Sequence, residues 1–175
     1  MGRKPFMLIT NASSTPTLIR HASADEIADA CKIDQEAFAP YGTAESPEII
    51  HARFSSFPDG FWVAMRNSAI VGYASSEKWL TMREPQIDEW PKDTHHQAGV
   101  IWCITAMAIR RESQNQGVGT LLLRQMIAKA SEQRCSSIVL ETSNARSFYS
   151  QRGFHELQQR WHGRTKLFVM ALSLT

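Results

Sequence analysis

The stretch Gln114-Asn115-Gln116-Gly117-Val118-Gly119 decides the fold, because it follows an apolar run and opens directly into an amphipathic segment. Residues 100–109 supply the strand-like run. Val118, Leu121, Leu122, Met126 and Ala130 then recur at helical spacing through a segment expected to end near Cys135. Two glycines sit where that helix should begin. Lacking Cβ atoms, they let the backbone approach a ligand closely. The unpaired N–H groups of a first helical turn point outward, with the positive end of the helix dipole behind them. Strand, glycine turn and helix start together make an anion cradle, and a phosphate-bearing cofactor is its natural guest. The pattern is not a nucleotide fingerprint. A dinucleotide site wants a third glycine where Leu122 stands, and a P-loop wants lysine after Gly119 where Thr120 stands.

A second signature follows some way along the chain. Residues 137–142 form a short apolar run of strand length, and residues 144–154 read Asn-Ala-Arg-Ser-Phe-Tyr-Ser-Gln-Arg-Gly-Phe. A short helix there presents Tyr149 from one turn, and Gly153 ends it where a left-handed residue is wanted. Phe154 then opens another strand. Taken alone, this is also the pattern of an ordinary helix with a packed tyrosine and a glycine cap.

In this order and spacing the two motifs resemble the GNAT superfamily of N-acetyltransferases, with Gln/Arg-x-x-Gly-x-Gly/Ala after an aliphatic strand end and Asn, Tyr and Gly-Phe downstream. The resemblance implies an α+β, three-layer fold with a mixed, mostly antiparallel central sheet flanked by helices. It implies acetyl-CoA as cosubstrate and no metal. Backbone groups of Met107, Ala108 and Ile109 would hold the pantetheine arm and the thioester oxygen. Gln114, Asn115, Gln116, Gly117, Val118, Gly119 and Thr120 would cradle the phosphates, and Asn144 would flank the cofactor. Tyr149 falls where the family places a general acid for the departing thiolate. A phenol with pKa near ~10 keeps its proton at neutral pH, which suits that task; packing is the competing use of the ring.

Composition agrees with one globular domain. The chain has 175 residues, 43% of them hydrophobic and 21% charged, which is enough for a single core. The expected organisation is a loose arm over residues 1–16 and one domain over residues 17–175. A formal net charge of +2, with basic residues scattered apart from Arg110-Arg111, speaks against nucleic acid as a partner. Cys31, Cys103 and Cys135 lack metal or disulfide spacing, so free thiols in a reducing compartment are expected. No apolar run is long enough for a signal region or a membrane span, and a cytoplasmic protein with no membrane partner is the expectation. Gly2 lacks the Ser or Thr that myristoylation wants four residues on.

From Thr17 the rest of such a domain can be followed. Residues 17–20 predict a first strand, and Ser23-Ala24-Asp25-Glu26 is a capping box ahead of a helix through Ile27, Cys31 and Phe38, ended by Pro40. Ser46-Pro47-Glu48 starts a second helix expected to reach about Phe54. Residues 61–66 and 69–79, joined at Asn67-Ser68, predict an antiparallel hairpin.

Residues 80–98 are long, polar and aromatic for a connection, and beside a cofactor strand they are a candidate substrate lid. Trp79 and Trp90 would form an apolar wall, with Asp88 and Glu89 attracting a cationic amine. A plain surface loop is the alternative.

The proton acceptor for the attacking amine is not evident. The arylalkylamine N-acetyltransferase branch, which this layout also resembles, has two histidines on the cofactor strand. Cys103 and Thr105 stand at the corresponding positions here. His95, His96, Glu77 and Glu141 are substitutes by composition only. The implied activity is acetyl transfer from acetyl-CoA to a small-molecule or protein amine. The alternative is a CoA-sensing module on the same scaffold. Acceptor identity and oligomeric state stay open, a homodimer included.

Overall fold

A tight turn at Asn67 and Ser68 organises one half of the central sheet. Both residues have positive φ, 47° and 62°, the mirror-image turn whose twist matches antiparallel strands. It joins β2 (Trp62–Arg66) to β3 (Ala69–Trp79), and β1 (Leu18–His21) pairs with the other edge of β2. The computed structural model describes residues 15–174, so the arm expected over residues 1–16 lies, apart from Thr15 and Pro16, outside the described residues.

The remaining strands are β4 (Ile101–Ile109), β5 (Ser137–Thr142), β6 (His155–His162) and β7 (Thr165–Ser173). Among the described residues they complete a seven-stranded sheet of order β1-β2-β3-β4-β5-β7-β6, antiparallel except between β4 and β5. Among the described residues five α-helices accompany it. α1 (Ile27–Phe38) and α2 (Pro47–Ser56) cover one face; α4 (Val118–Glu132) and α5 (Arg146–Ser150) cover the other. The fifth, α3 (Pro91–Thr94), is one turn inside the segment read as a loop.

Element ends differ from expectation where local capping decides them. The Ser23 N–H donates to Glu26 Oε2 at 2.9 Å, but a 3₁₀ turn over Ala24–Glu26 precedes α1, so the regular helix begins after the box. Likewise α2 continues to Ser56, and α4 stops at Glu132, before Cys135, because Arg134 adopts a left-handed φ of 57°.

One irregularity in β4 shapes the whole molecule. Ser75 pairs with Ala106 and Ser76 with Ile104, so Thr105 is an extra residue, a β-bulge. The insertion reverses the inside–outside alternation. Trp102 and Ile104 pack with α4, whereas Ala106 and Ala108 pack with α1, although all four share even numbering. The parallel pairing of β4 with β5 also stops at Ile104 opposite Leu140, while β4 runs on to Ile109. Beyond that point the two strands part, and a cleft opens in the middle of the sheet.

Candidate functional site

The cleft is entered from one side by a groove of about 940 Å³ built on the glycine loop. Gly117 has φ of 83° and is the N-cap of α4, a conformation that glycine reaches without steric cost. Among the described residues no backbone N–H from Asn115 to Thr120 has an acceptor, so the start of α4 offers a row of donors. At Gly119 an added Cβ would stand 3.6 Å from the Phe148 ring, so a bare backbone keeps the groove open there. Met107, Ala108 and Ile109 line the far wall along the part of β4 that β5 leaves unpaired.

Not every residue of the motif faces this groove. Gln114, Asn115, Gly117, Gly119 and Thr120 do. The Val118 side chain is buried in the core, where only its backbone is available. Gln116 turns away: its amide oxygen accepts from Arg66 and its Nε2 donates to the Glu112 carbonyl at 2.9 Å. Gln114 braces the loop instead, donating to the Ile109 carbonyl at 3.0 Å. Of the two neighbouring arginines, Arg110 is held by Glu36 at 3.0 Å, while Arg111 lines the groove. Arg152 lines it as well, lying 3.7 Å over the Phe148 ring and donating to Thr120 Oγ1 at 2.8 Å. A cation fixed beside free N–H groups suits a phosphate, and no local pattern marked Arg152 for this. These donors, cations and the open edge fit the phosphates and the arm of CoA.

On the opposite side of the cleft lies a smaller cavity of about 110 Å³. Its walls come from α1, the α1–α2 loop, β4, β5 and residues 85–89. Cys103 and Thr105 line it; burial pushes the Cys103 thiol well up, helped by the Glu77 charge, so it stays protonated and is no nucleophile. Trp79, Pro85, Gln86, Ile87 and Glu89 close one end. Trp90 instead points to solvent, and Asp88 accepts from the Ser46 N–H at 2.9 Å. The histidines are engaged elsewhere. His95 Nδ1 accepts from the Lys78 N–H, its ring stacks on Phe57 and burial lowers its pKa; His96 Nδ1 accepts from Ala98 N–H.

Four carboxylates, Asp34, Glu45, Glu89 and Glu141, line this cavity, and Glu77 is joined to them through Arg53. Glu141 is held by Arg160 at 2.5 and 2.8 Å, and burial outweighs that partner in raising its pKa. Arg53 bridges Glu45 (2.5 and 2.8 Å) and Glu77 (3.2 Å), and Glu77 also accepts from Trp79 Nε1 and Thr94 Oγ1. Asp34, fully buried on α1, has no cationic partner. Its oxygens accept from the Tyr73 hydroxyl at 2.5 Å and the Glu45 N–H at 2.9 Å. Burial pushes its carboxyl up to about 6 despite those two donors. Asp34 was invisible to sequence reasoning because α1 reads as an ordinary amphipathic helix with the aspartate on its apolar side.

Groove and cavity meet at Phe38, Met107, Asn144, Ala145 and Tyr149. Tyr149 is 6% exposed and is wedged between Phe148 and Phe154, and its hydroxyl has no hydrogen-bond partner among the described residues. Burial raises its pKa, so the phenol stays protonated throughout the neutral range. The turn that presents it ends at Gly153, with φ of 89°. Asn144 donates to the Tyr41 hydroxyl at 3.0 Å.

Among the described residues no group of three or more His, Cys, Asp or Glu side chains could hold a metal ion, and no helix is long and apolar enough to cross a membrane. Sequence search of the curated proteins finds no match. Solved structures of the same fold are many. The loading GNATL domain of CurA from Lyngbya majuscula superposes with a TM-score of 0.79 at 16% identity, over 91% of this chain and 98% of that one. YncA, a putative acetyltransferase from Salmonella typhimurium solved with acetyl-CoA, gives 0.69 at 20% identity, over 91% and 94%. The ribosomal-protein-S18-alanine N-acetyltransferase from Escherichia coli gives 0.68 at 17%, over 91% and 95%. At such identities the likeness is one of fold. The sequence pattern of the acetyltransferase (GNAT) family matches residues 27–154, from the first helix through Gly153-Phe154, and the chain belongs to that family.

Proposed function

We propose that the protein transfers the acetyl group of acetyl-CoA to a primary amine by direct attack, with Tyr149 as general acid. The observation that carries this is the position of the Tyr149 hydroxyl, without a partner among the described residues, on the wall shared by the cofactor groove and the acidic cavity. Phosphates lie on the N–H row from Asn115 to Thr120 beside Arg111 and Arg152, and the arm runs along Met107 to Ile109 into the cleft. The amine approaches from the cavity side, so the two substrates do not compete for one entrance.

The nitrogen lone pair attacks the carbonyl carbon, the N–C bond forms, the C–S bond breaks, and the electron pair goes to sulfur. The thiolate takes the Tyr149 proton. The nitrogen gives up a proton, and the phenolate is restored by one from solvent, so amine and thioester become amide and thiol with no net change in the enzyme. No side-chain nucleophile is required. Because burial holds the phenol proton tightly, its transfer must accompany C–S cleavage rather than precede it.

Tyr149→Phe tests this directly. Calorimetric CoA affinity should be retained, and turnover, followed by thiol release, should fall by ~10²-fold or more. An unchanged turnover number would reduce Tyr149 to packing. CoA binding without thiol release on any amine of a broad panel would favour a sensing module.

A further inference from the structure

The charged groups lining the cavity are answered within the chain. Glu45 is bound by Arg53, Glu89 by Arg83 and Glu141 by Arg160, while Asp34 is fully buried against the Tyr73 hydroxyl and the Glu45 N–H. The uncharged wall includes Phe38, Trp79, Ile87, Ile104 and Leu167, which is apolar surface for a short hydrocarbon chain. At ~30 Å³ for each water, the volume of about 110 Å³ holds roughly four waters, so an amine of about four to six non-hydrogen atoms fills it. That is well below the ~300–1,000 Å³ of sites for drug-sized ligands.

Three hydrogen bonds close a ring around this cavity. Asp88 Oδ1 accepts from the Ser46 N–H at 2.9 Å, which joins the α1–α2 loop to the segment over residues 80–98. Arg160 donates to the Pro85 carbonyl at 3.1 Å, which joins that segment to β6, and the chain then turns from β6 into β7. Thr165 Oγ1 donates to the Tyr41 carbonyl at 2.6 Å and returns the circuit to the α1–α2 loop. Each arc of the ring lends residues to the wall: Thr43 and Glu45 from the first, Ile87 from the second, Leu167 from the third. Asn144 donates to the Tyr41 hydroxyl at 3.0 Å and pins the first arc to the β5–α5 connection as well. An extended polypeptide needs an open trough, and the ring would have to be cut to make one.

Resting on the acetyl-transfer reading, we infer that the acceptor is a small free aliphatic amine, and that the ring excludes the amines of polypeptides. Tyr41, which takes one bond from Thr165 and one from Asn144, is then a specificity residue. It holds the arc that a longer acceptor would have to displace. The acetyl group arrives from the groove side, so the ring leaves the cofactor unobstructed.

The test measures kcat/KM, at saturating acetyl-CoA and mildly alkaline pH, for butylamine, octylamine, a tripeptide with a free N-terminus and an N-acetylated peptide containing one lysine. Butylamine should exceed each of the other three by about ten-fold or more, the least that a filled apolar pocket exacts for a group it cannot house. The double variant Tyr41→Gly/Thr165→Val cuts the ring, and should raise the octylamine-to-butylamine ratio by about ten-fold or more. A folding defect would slow both amines and leave the ratio in place. An unchanged ratio in the variant, or any of the three larger acceptors within about ten-fold of butylamine in the native protein, overturns the inference while leaving acetyl transfer intact. If none of the four is acetylated, the transfer reading falls, and calorimetric titration of the same compounds onto the CoA-loaded protein decides the ring. Binding of butylamine alone upholds it; binding of octylamine or a peptide, or of none, overturns it.

Discussion

Ser75 and Thr105 face each other across the register shift between β3 and β4, hydroxyl to hydroxyl at 2.7 Å. The pair pins the extra residue of the bulge at the point where β4 leaves β5. Thr105→Val keeps the shape and removes the bond, leaving the buried Ser75 hydroxyl without a partner. The expected loss is about 1–3 kcal/mol of stability by urea denaturation. The double variant Ser75→Ala/Thr105→Val should lose less than the sum of the single changes, since neither polar group is then stranded. Additive losses would show that the two hydroxyls are not coupled.

The groove makes a size-graded prediction at Gly119. A Cβ there would meet the Phe148 ring at 3.6 Å, an ordinary contact, so Gly119→Ala should keep CoA affinity within a few fold. Gly119→Trp should cut it by more than ten-fold with the denaturation midpoint unchanged, because only the groove is filled. Undiminished affinity in the tryptophan variant, read by calorimetry, would remove this loop from the cofactor site.

Arg53 is the counter-ion of two buried carboxylates. Arg53→Met leaves Glu45 and Glu77 facing each other without it, and the expected destabilisation is about 3–5 kcal/mol. A loss below about 1 kcal/mol in chemical denaturation would mean that water or protonation compensates the pair.

Asp34 gives the stability a pH signature. Burial raises its folded pKa to about 6, above the 3.8 of the exposed group, so between these values the native state binds more protons than the unfolded state. The favourable contribution is therefore fully present below pH 3.8 and is lost as pH rises through about 6. Asp34→Asn lacks this titration. The stability of the native protein minus that of the variant should fall between pH 4 and pH 7, measured at several pH values by denaturant titration. A flat or rising difference would place the Asp34 pKa elsewhere.

What the sequence determined is what depends on neighbours along the chain. The Asn67-Ser68 turn, the left-handed Gly117 at a helix start and Gly153 at a helix end are local backbone requirements, and they predict strand and helix order from Leu18 to Ser173. Apolar spacing in α4 likewise gave most of its buried face, through Val118, Leu122, Met126 and Ala130, but Leu121 is exposed and Leu123 is buried in its place. The one-turn α3 escaped notice because four residues carry no periodicity. The tertiary structure decided the rest. Alternation along β4 reverses at Thr105, which only the pairing with Ser75 and Ser76 reveals. Arg152 reaches the groove by packing on Phe148, and Asp34 meets Tyr73 and Glu45 across thirty-nine and eleven residues of chain. Charge and hydrogen-bond partners separated so far in sequence leave no periodic trace. The motif therefore marks a glycine loop at a helix start, while the cavity with its acids exists only once α1, β4, β5 and the segment from Pro85 to Glu89 are packed together.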